Sequence, residues 1–565
     1  MTRFVLEISS QRRAGKLNDL FAVLPEISMS YESSSCEFLA WGDPIAGADF
    51  GERLDRNGSP EFIVNNLYGH YYYIHLNKNT GEITVGNSLF SILPIYYCSN
   101  DIRILLSDNA LIIGGYSGSE KISSRFVLET VLFNYPLFND SILADIHLLP
   151  SNSSVSISAG KLSFRKHTAM AELFQEATVP WNKDIRSVTD RFLETAEKYL
   201  PKEHYSCSLT GGFDGRTLAA AGLYDKRNFA AFAFGTEQAK DVTIAEEVSA
   251  SAGIPFHRIL LGEEYIRRHS PGCGREFITN SSGTATFARA HYLYAAKQLA
   301  DRSPVMITGN FGSEIFRAAH VAGVVISENL HALFSANSSL EAVRAVEESA
   351  EFRLLNMGSF SEEWESLKED IQTLPVFNAG YAHLTRNQRF YLFVFEELFR
   401  KYFGAEMTNQ FMYVRNRTPY LDIDFLRALL KSDLSGIHSA FFEHNPLKRY
   451  KGQVLYSHII RKAHPSLGKI ITDKGYRPDD LLTLTGKMKI AGSWLRKSLR
   501  ITNPGTDPNG VEAAWMANRE QWSSVTPPAD YFNRDKTANA GRELSFKISS
   551  LSYIISLINN KVIIS

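Results

Sequence analysis

One stretch, Ser208-Leu-Thr-Gly-Gly-Phe-Asp-Gly-Arg-Thr217, constrains the fold of this chain more than any other. The stretch 205–209 is short enough for a strand, and residues 217–224 are rich in Ala and Leu, which favours a helix. A strand, a glycine-rich turn and a helix start together form an anion site, because backbone N–H groups and the helix N-terminus attract phosphate. A carboxylate in such a loop would repel phosphate without a cation between them. We therefore interpret Asp214 as a Mg²⁺ ligand.

This loop resembles the pyrophosphate loop of the N-type ATP pyrophosphatases, usually written S-G-G-x-D-S. The P-loop pattern fails because no Lys follows the second Gly, and the dinucleotide fingerprint fails on glycine spacing. Thr210 stands for the first Ser, Gly211, Gly212 and Asp214 match, and Gly215 replaces the last Ser. The resemblance implies an enzyme that cleaves ATP to AMP and pyrophosphate and adenylates a carboxylate or similar oxygen. A glycine-rich turn that binds no ligand is the alternative.

Length and composition bound the class of protein. At 565 residues the chain is too long for one core, which indicates two or three domains. The formal net charge of −1 gives no general attraction to nucleic acid or to an anionic membrane. The four cysteines are widely scattered, and neither a disulfide framework nor a zinc site is predicted. No signal peptide or membrane span is recognised, so the expected location is the cytoplasm.

The pattern of predicted elements changes along the chain. Up to about His167 the sequence is strand-like and punctuated by turns; Phe62–Leu76, for example, is rich in β-branched and aromatic residues and predicts a strand. Beyond residue 200, strands such as Phe229–Gly235 alternate with helices such as Asp241–Ala252. That alternation predicts a doubly wound α/β sheet with ligands at the carboxyl ends of its strands. The segment Asn503–Arg534 is rich in Pro and Asn and predicts a loop.

The first part of the chain also resembles a class II glutamine amidotransferase domain, in the order found in asparagine synthetases. The resemblance rests on residues 67–74, 84–97, 104–108 and 140–150. Glutaminases of that class use an N-terminal Cys, whereas position 2 here is Thr and no Cys precedes Cys36. A Thr2 nucleophile is chemically conceivable. The family's glutamine-binding N-G-E-I-Y-N segment has no counterpart, so we expect a scaffold without glutaminase activity.

A second glycine-rich turn occurs in Val305-Met-Ile-Thr-Gly-Asn-Phe-Gly-Ser-Glu-Ile-Phe-Arg317. It resembles T-G-E-G-x-D-E-L-F of asparagine synthetases, with Thr308, Gly309, Gly312 and Ser313 in matching positions and Glu314 in the place of the second metal-binding Asp. We expect Asp214 and Glu314 together to hold Mg²⁺ on the phosphates. The alternative is that Glu314 only stabilises the first turn of a helix, where the helix dipole favours an acidic residue. The family's amine-contacting Glu is replaced by Asn310-Phe311, which leaves the amine-activating group unassigned.

The resemblance implies further site residues. The segment Arg415–Asp422 is similar to the family's E-x-R-x-P-F-L-D. The resemblance implies contact with the substrate, and the alternative is that the segment only packs against the core. Lys451 is the candidate catalytic cation, with Lys448 as its competitor and a surface lysine as the alternative to both. The positions expected to contact ATP are Leu209, Thr210, Gly211, Gly212, Gly215, Arg216, Phe234, Gly235, Thr308 and Gly309.

The predicted fold is therefore α/β in three segments. Residues 1–168 form a degenerate, β-rich, two-layer domain like the Ntn hydrolases, and residues 169–200 form a connection with the first helix. Residues 201–565 form the doubly wound ATP pyrophosphatase domain. Asparagine synthetase-like relatives without glutaminase residues include β-lactam synthetases and lasso-peptide cyclases.

The predicted function is an ATP- and Mg²⁺-dependent, AMP-forming amide ligase. Its substrates are a small-molecule, peptide or sugar carboxylate and an amine or free ammonia, and a homo-oligomer is possible. Three alternatives are open: asparagine synthesis from aspartate, a tRNA-modifying ATP pyrophosphatase, and a non-catalytic binding protein. The absence of a catalytic Cys pair and of a concentrated basic face argues against the tRNA enzyme.

Overall fold

A computed structural model describes most of the chain. The described residues are 3–9, 16–158, 160–174, 179–317, 319, 322–323, 325–445, 449–498, 507–537 and 540–561. Antiparallel sheets occupy the N-terminal region and a parallel sheet follows later, which confirms the mixed α/β class. Thr2 and Lys448 lie outside the described residues.

Two antiparallel sheets form the N-terminal region. One has the order β2-β1-β8-β7-β9 and the other β11-β10-β6-β5-β4-β3. The pair β4–β5 is in register over eleven residues, from Cys36 opposite Asn77 to Ala46 opposite Leu67. The strands are β1 Val5–Ser9, β2 Phe21–Val23, β3 Ile27–Glu32, β4 Cys36–Ala46, β5 Leu67–Asn77, β6 Glu82–Asn87, β7 Tyr96–Ser99, β8 Arg103–Ser107, β9 His147–Leu148, β10 Ser153–Ser158 and β11 Lys161–Lys166.

The predicted strand Phe62–Leu76 is wrong at its start. Pro60–Asn66 is a helix, and β5 begins only at Leu67. The hydroxyl of Ser59 accepts a hydrogen bond from the backbone N–H of Phe62, and Pro60 occupies the first turn. A capping Ser followed by Pro is a helix-start signal, and here it outweighs the β-propensity of Phe62-Ile-Val.

The later sheet is fully parallel and has five strands in the order β14-β13-β12-β15-β16. The chain starts in the centre at β12, moves to one edge, and then returns to the other side through β15. This reversal places a switch point between β12 and β15, where open α/β sheets bind ligands. The strands are β12 Tyr205–Ser208, β13 Phe229–Gly235, β14 Phe256–Leu260, β15 Val305–Ile307 and β16 Arg415–Arg417.

Helices connect and cover the sheets. The α-helices are α1 Phe50–Arg56, α2 Pro60–Asn66, α3 Ala110–Ser117, α4 Ser124–Phe133, α5 Trp181–Tyr199, α6 Asp214–Tyr224, α7 Lys240–Ala252, α8 Ser270–Asn280, α9 Ala290–Ala300, α10 Gly312–Phe316, α11 Glu328–Ser335, α12 Ser339–Glu347, α13 Ala350–Leu354, α14 Ser361–Ile371, α15 Arg386–Phe393, α16 Gly404–Phe411, α17 Ile423–Leu430, α18 Lys451–Ala463, α19 Leu484–Ser498, α20 Val511–Trp522, α21 Arg534–Thr537 and α22 Arg542–Asn559. A π-helical segment, Val394–Phe403, joins α15 to α16. No helix in the described ranges is both long and apolar enough to cross a bilayer.

The predicted loop Asn503–Arg534 contains a helix that the composition conceals. Helix α20 runs from Val511 to Trp522, and the carboxylate of Asp507 accepts hydrogen bonds from the backbone N–H groups of Val511 and Ala513. Trp515 and Trp522 are buried. The Pro and Asn residues on either side dominate the average composition of this segment, whereas the helix itself consists mainly of residues that favour helices.

Buried polar contacts fix the N-terminal sheets against the later part of the chain. Arg417, at the end of β16, donates to both carboxylate oxygens of Asp43 on β4, at 2.6 and 2.9 Å. Lys401 is buried and donates to the carbonyls of Leu137 and Phe138. The Arg417 side chain in the Arg415–Asp422 segment therefore has a packing role in this structure.

Candidate active site

The first glycine-rich loop connects β12 directly to α6 at the switch point of the parallel sheet. Strand β12 ends at Ser208 and helix α6 begins at Asp214. A side chain at Gly215 would overlap the carbonyl oxygen of Ser208, so this close approach of helix to strand requires glycine. Within the described residues, no side chain caps the first turn of α6, and its N–H groups are available to an anion.

Two N–H groups of the loop already have partners inside the protein. The N–H of Gly211 donates to the carboxylate of Asp241 at 3.1 Å, and the N–H of Gly212 donates to the hydroxyl of Thr210 at 3.2 Å. Burial, followed by the nearby charge of Asp473, raises the pKa of the Asp241 carboxyl. An acidic side chain thus accepts a hydrogen bond that a bound phosphate could otherwise accept.

Asp214 occupies the first position of α6 and is held by hydroxyl groups. Its Oδ2 accepts from Ser313 at 2.7 Å, and its Oδ1 accepts from the phenol of Tyr456. Tyr420 donates to its backbone carbonyl at 2.9 Å. A Cβ at Gly309 would lie 2.6 Å from the Cβ of Asp214, so the two glycine-rich turns are in direct contact.

Glu314 lies one residue beyond Ser313 on the short helix α10. Burial, and then the negative charge of Asp214, raise the pKa of the Glu314 carboxyl to about 7. The phenol of Tyr391 donates to the backbone carbonyls of Glu314 and Arg317 and so fixes the end of this turn. The two glycine-rich turns are therefore neighbours in the fold, and a joint role of Asp214 and Glu314 in holding Mg²⁺ stays a prediction.

Arg317 adds a cation to this pair of carboxylates. Its guanidinium donates to the hydroxyl of Ser313 at 2.6 Å. Burial lowers the pKa of Arg317, but Asp214 and the other anionic or polar neighbours outweigh burial, and the net pKa is raised. Arg317 also lowers the pKa of Arg449, after the larger effect of burial, which places a second guanidinium nearby. The sequence gives no sign of a role for either arginine, although Arg317 is the last residue of the second glycine-rich stretch, Val305–Arg317.

A cleft of about 210 Å³ opens beside the loop. Ser208, Thr210, Asp214 and Gly215 line its base, on the β12 side. One wall is apolar and is formed by Phe232, Phe234, Tyr292, Ala295, Ala296, Leu299 and Met306. The other wall is polar and is formed by Thr308, Asn310, Glu406 and Gln410. A cleft that combines apolar residues with a few polar side chains has the composition that is typical of small-molecule sites.

A connected set of buried polar groups lies behind the polar wall. Glu406 on α16 accepts from Arg289 at 2.9 Å, from Asn310 at 3.0 Å and from Gln410 at 3.1 Å. Asn416 then donates to Gln410 at 2.7 Å, and Thr308 donates to Asn416 at 2.8 Å. We call these six residues the Glu406 network. Its members come from four separate places in the chain, near residues 289, 308–310, 406–410 and 416, so sequence spacing gives no sign of it.

The remaining predicted site residues are placed as follows. Leu209 is buried and extends β12, with its N–H donating to the carbonyl of Phe232. Gly235 ends β13, beside the carbonyl of Pro508, which accepts from the N–H of Thr236 at 2.8 Å. Thr308 and Gly309 line the cleft with Asn310.

Two predicted residues make contacts away from the cleft. Arg216 is fully buried, and its guanidinium donates to the carbonyls of Leu467, Ile470 and Ile471. Lys451 begins α18 and forms an ion pair with Asp433 at 2.5 Å. Neither is among the described residues that line the cleft. In this structure Arg216 anchors a neighbouring segment, and Lys451 is held by a carboxylate.

The donor set around Asp214 suits Mg²⁺ only in part. Two carboxylates and the Ser313 hydroxyl are hard oxygen donors of the kind that Mg²⁺ prefers, and Mg²⁺ sites often combine one or two carboxylates with phosphate oxygens and water. No group of three or more His, Cys, Asp or Glu side chains in the described part of the chain could hold a metal ion by itself. A metal here would therefore need oxygens from a nucleotide as well.

Comparison with known proteins gives little further information. No family model matches the chain, and no curated protein matches it. Among solved structures, a glutamine phosphoribosylpyrophosphate amidotransferase from B. subtilis, complexed with ADP and GMP, matches with 9% identity over 44% of this chain and 50% of that chain. The TM-score is 0.16, so this match carries no argument about fold or function.

Proposed function

We propose that this chain is an ATP-dependent, AMP- and pyrophosphate-forming amide ligase. The observation that carries the proposal is the contact between the two glycine-rich turns at adjacent strand ends, where Ser313 donates to Asp214 at 2.7 Å and Asp214 lines a cleft with one apolar and one polar wall. The strand order of the parallel sheet supports a doubly wound ATP-binding region. The two antiparallel sheets support the finer proposal that the N-terminal region is an Ntn-like scaffold.

In this proposal ATP lies across the switch point. The adenine contacts the apolar wall near Phe234 and Met306, and the triphosphate extends over the first turn of α6. Asp214 and Glu314 would hold Mg²⁺, which supplies charge neutralisation at the phosphates when it is bound. Arg317 is the cation that the structure places beside Asp214 and is our first candidate for stabilising the leaving pyrophosphate.

The reaction proceeds in two displacements. An oxygen of the substrate carboxylate attacks the α-phosphorus of ATP, the bond from that phosphorus to the bridging oxygen breaks, and pyrophosphate leaves with the electron pair. The nitrogen of an amine then attacks the acyl carbon, a C–N bond forms, and the C–O bond to AMP breaks. AMP leaves with the electron pair, and the nitrogen loses a proton. Most of the protein's contribution is positioning and charge stabilisation.

A second candidate function is nucleotide-independent binding by a relative that has lost catalysis. The specific observation in its favour is that Asp241 accepts the hydrogen bond of Gly211, while the guanidinium of Arg317 lies near enough to Asp214 and Glu314 for their charges to raise its pKa. An acid at the loop repels phosphate, and an internal cation reduces the need for Mg²⁺.

ATP–pyrophosphate exchange separates the two candidates. The unaltered protein is incubated with Mg²⁺, ATP and labelled pyrophosphate over a panel of amino-acid, peptide and sugar carboxylates. A ligase incorporates label into ATP with at least one carboxylate. A thermal-shift titration with ATP and Mg²⁺ runs in parallel. Failure of exchange with every carboxylate, together with no shift, would overturn the ligase proposal and favour the binding protein.

A further inference from the structure

Helix α19, Leu484–Ser498, presents two large apolar side chains to solvent. Leu484 is 81% exposed and Met488 is 66% exposed, and Ala491 is exposed as well. Residues at spacings of four and seven lie on one face of a helix, so these three residues form one continuous strip. We call them the α19 strip. Grouped apolar side chains at a surface, unlike scattered ones, mark an interaction site.

The opposite side of α19 attaches the helix to the rest of the protein. Gly486 is buried, and a Cβ at this position would lie 2.2 Å from the carbonyl oxygen of Asp480. Ile490, one turn later, packs against the hydrophobic core. Because residues two apart point to nearly opposite sides of a helix, this packing turns Leu484 and Met488 outwards. The fold therefore holds α19 without covering its apolar strip.

Basic residues border the α19 strip. The helix contains no acidic residue, and its basic residues are Lys487, Lys489, Arg496 and Lys497. Lys487 lies three positions after Leu484 and is therefore a neighbour of the strip on the helix surface. Lys489 directly follows Met488 and is exposed. The apolar strip and the positive charge thus belong to the same short helix.

Two arginines from other helices extend the positive charge. Burial, and then the charges of Arg461, Arg186 and Lys487, lower the pKa of His458, so these three cations lie around one imidazole ring. Arg461 belongs to α18 and Arg186 to α5, and both are exposed. Within the described ranges, neither these arginines nor Lys487 and Lys489 form an ion pair with an acid. We call these four cations the α19 basic patch.

We propose that α19 docks the protein on the surface of an anionic lipid bilayer. Leu484 and Met488 insert at the boundary between headgroups and acyl chains, and the α19 basic patch faces the anionic headgroups. The helix lies on the bilayer and does not cross it, in keeping with the absence from the described ranges of any helix long and apolar enough to span one. This inference does not depend on the proposed ligase function.

A bilayer fits both features of this surface. A nucleic acid would engage the cations through its phosphates but would leave the two apolar side chains in water. The formal net charge of −1 does not oppose docking, because physiological salt screens exposed charges beyond about 8 Å and the nearby cations then dominate.

Sedimentation of the full chain with lipid vesicles tests the proposal. The vesicles contain either phosphatidylcholine alone or equal parts of phosphatidylcholine and phosphatidylserine. We expect the protein to sediment with the anionic vesicles, to bind the neutral vesicles at least about tenfold more weakly, and to leave the anionic vesicles when the salt concentration is raised. Failure to bind anionic vesicles, or equal binding to both kinds, would overturn the proposal.

Two double variants separate the apolar and the charged contributions. Leu484→Gln with Met488→Gln should weaken binding to anionic vesicles at least about tenfold, because two apolar side chains no longer leave water. Lys487→Gln with Lys489→Gln should weaken it about fivefold for each cation removed. Met516→Gln, at a side chain of α20 that is 68% exposed, is the apolar control and should bind normally. Unchanged binding in either double variant would contradict the assignment of this surface.

A labelled RNA duplex, measured in parallel, identifies the other class of partner. RNA binding that is lost in the double lysine variant, together with no binding to anionic vesicles, would mean that the patch is a nucleic-acid site and that the proposal is wrong. Lys536→Gln, at an exposed lysine of α21, is the charge control and should retain vesicle binding. Thermal midpoints report folding. If a double variant does not fold, the single changes Met488→Gln and Lys489→Gln, both at exposed positions, decide in its place.

Discussion

The hydroxyl of Ser313 donates a hydrogen bond of 2.7 Å to the carboxylate of Asp214, across 99 positions of sequence. This contact joins the ends of β12 and β15, the two strands between which the order of the parallel sheet reverses. It also brings Glu314, the neighbour of Ser313, within reach of the charge of Asp214. Two short glycine-rich turns therefore form one acidic site that neither could form alone.

The first prediction concerns Asp214 itself. Asp214→Asn retains one acceptor oxygen, for either Ser313 or Tyr456, but removes the charge, so we expect exchange to fall below detection while the thermal midpoint stays close to that of the unaltered protein. Glu246→Gln, at an exposed carboxylate on α7, is the matched control and should exchange normally. Undiminished exchange in Asp214→Asn would remove this carboxylate from the mechanism.

The second prediction compares two cations. Arg317 lies beside Asp214, whereas Lys451 is paired with Asp433. We expect Arg317→Gln to weaken pyrophosphate binding at least about tenfold, the loss of one strong charged contact. Lys451→Met should have the smaller effect. Titration calorimetry with pyrophosphate and Mg²⁺ measures both. A larger loss for Lys451→Met would return the catalytic role to the lysine predicted from the sequence.

The third prediction concerns the acid at the phosphate loop. Asp241→Asn keeps an oxygen for the N–H of Gly211 but removes a negative charge from beside it. If phosphates bind this loop, their affinity should increase, roughly tenfold for about 1.4 kcal/mol of relieved repulsion. Glu246→Gln on the same helix is again the control. A weaker affinity for pyrophosphate with Mg²⁺ would instead mean that Asp241 helps to hold the cation.

The sequence predicts the backbone of this site better than its side-chain contacts. Glycine spacing between strand and helix is a local signal, so Gly211, Gly215 and Gly309 could be located from it, and so could the acids at positions 214 and 314. The residues that a side chain contacts often lie far away in the sequence, so local patterns do not predict them. The pairing of Lys451 with Asp433 and the burial of Arg216 against residues 467–471 depend on how α18 and the following segment pack.

The Glu406 network could not be predicted for the same reason. Glu406 lies on helix α16 and is buried, and no local pattern in the sequence marks its partners. Only the packing of α16 against the end of β15 reveals that its carboxylate supports the wall of a cleft. Helix α2 shows the converse, because the cap at Ser59 and Pro60 is a local signal in the sequence that a strand prediction based on β-propensity overlooks.

The last prediction concerns acid stability and depends on His291, a buried residue of α9 packed against Phe234 and Tyr292. Burial, and then the charge of Arg289, lower the pKa of His291 to about 3. Because the unfolded chain binds this proton near pH 6.5 and the folded chain does not, folding stability falls as pH drops below about 6.5, by roughly 1.4 kcal/mol per pH unit. The variant His291→Phe tests this cause, because it keeps an aromatic ring and removes the proton site.

The urea midpoint of His291→Phe should fall less between about pH 7.5 and about pH 5.5 than that of the unaltered protein. His204→Asn, at an exposed histidine, should behave like the unaltered protein. An equal loss in His291→Phe and the unaltered protein would show that other groups, such as the buried His70 and His167, cause the acid sensitivity.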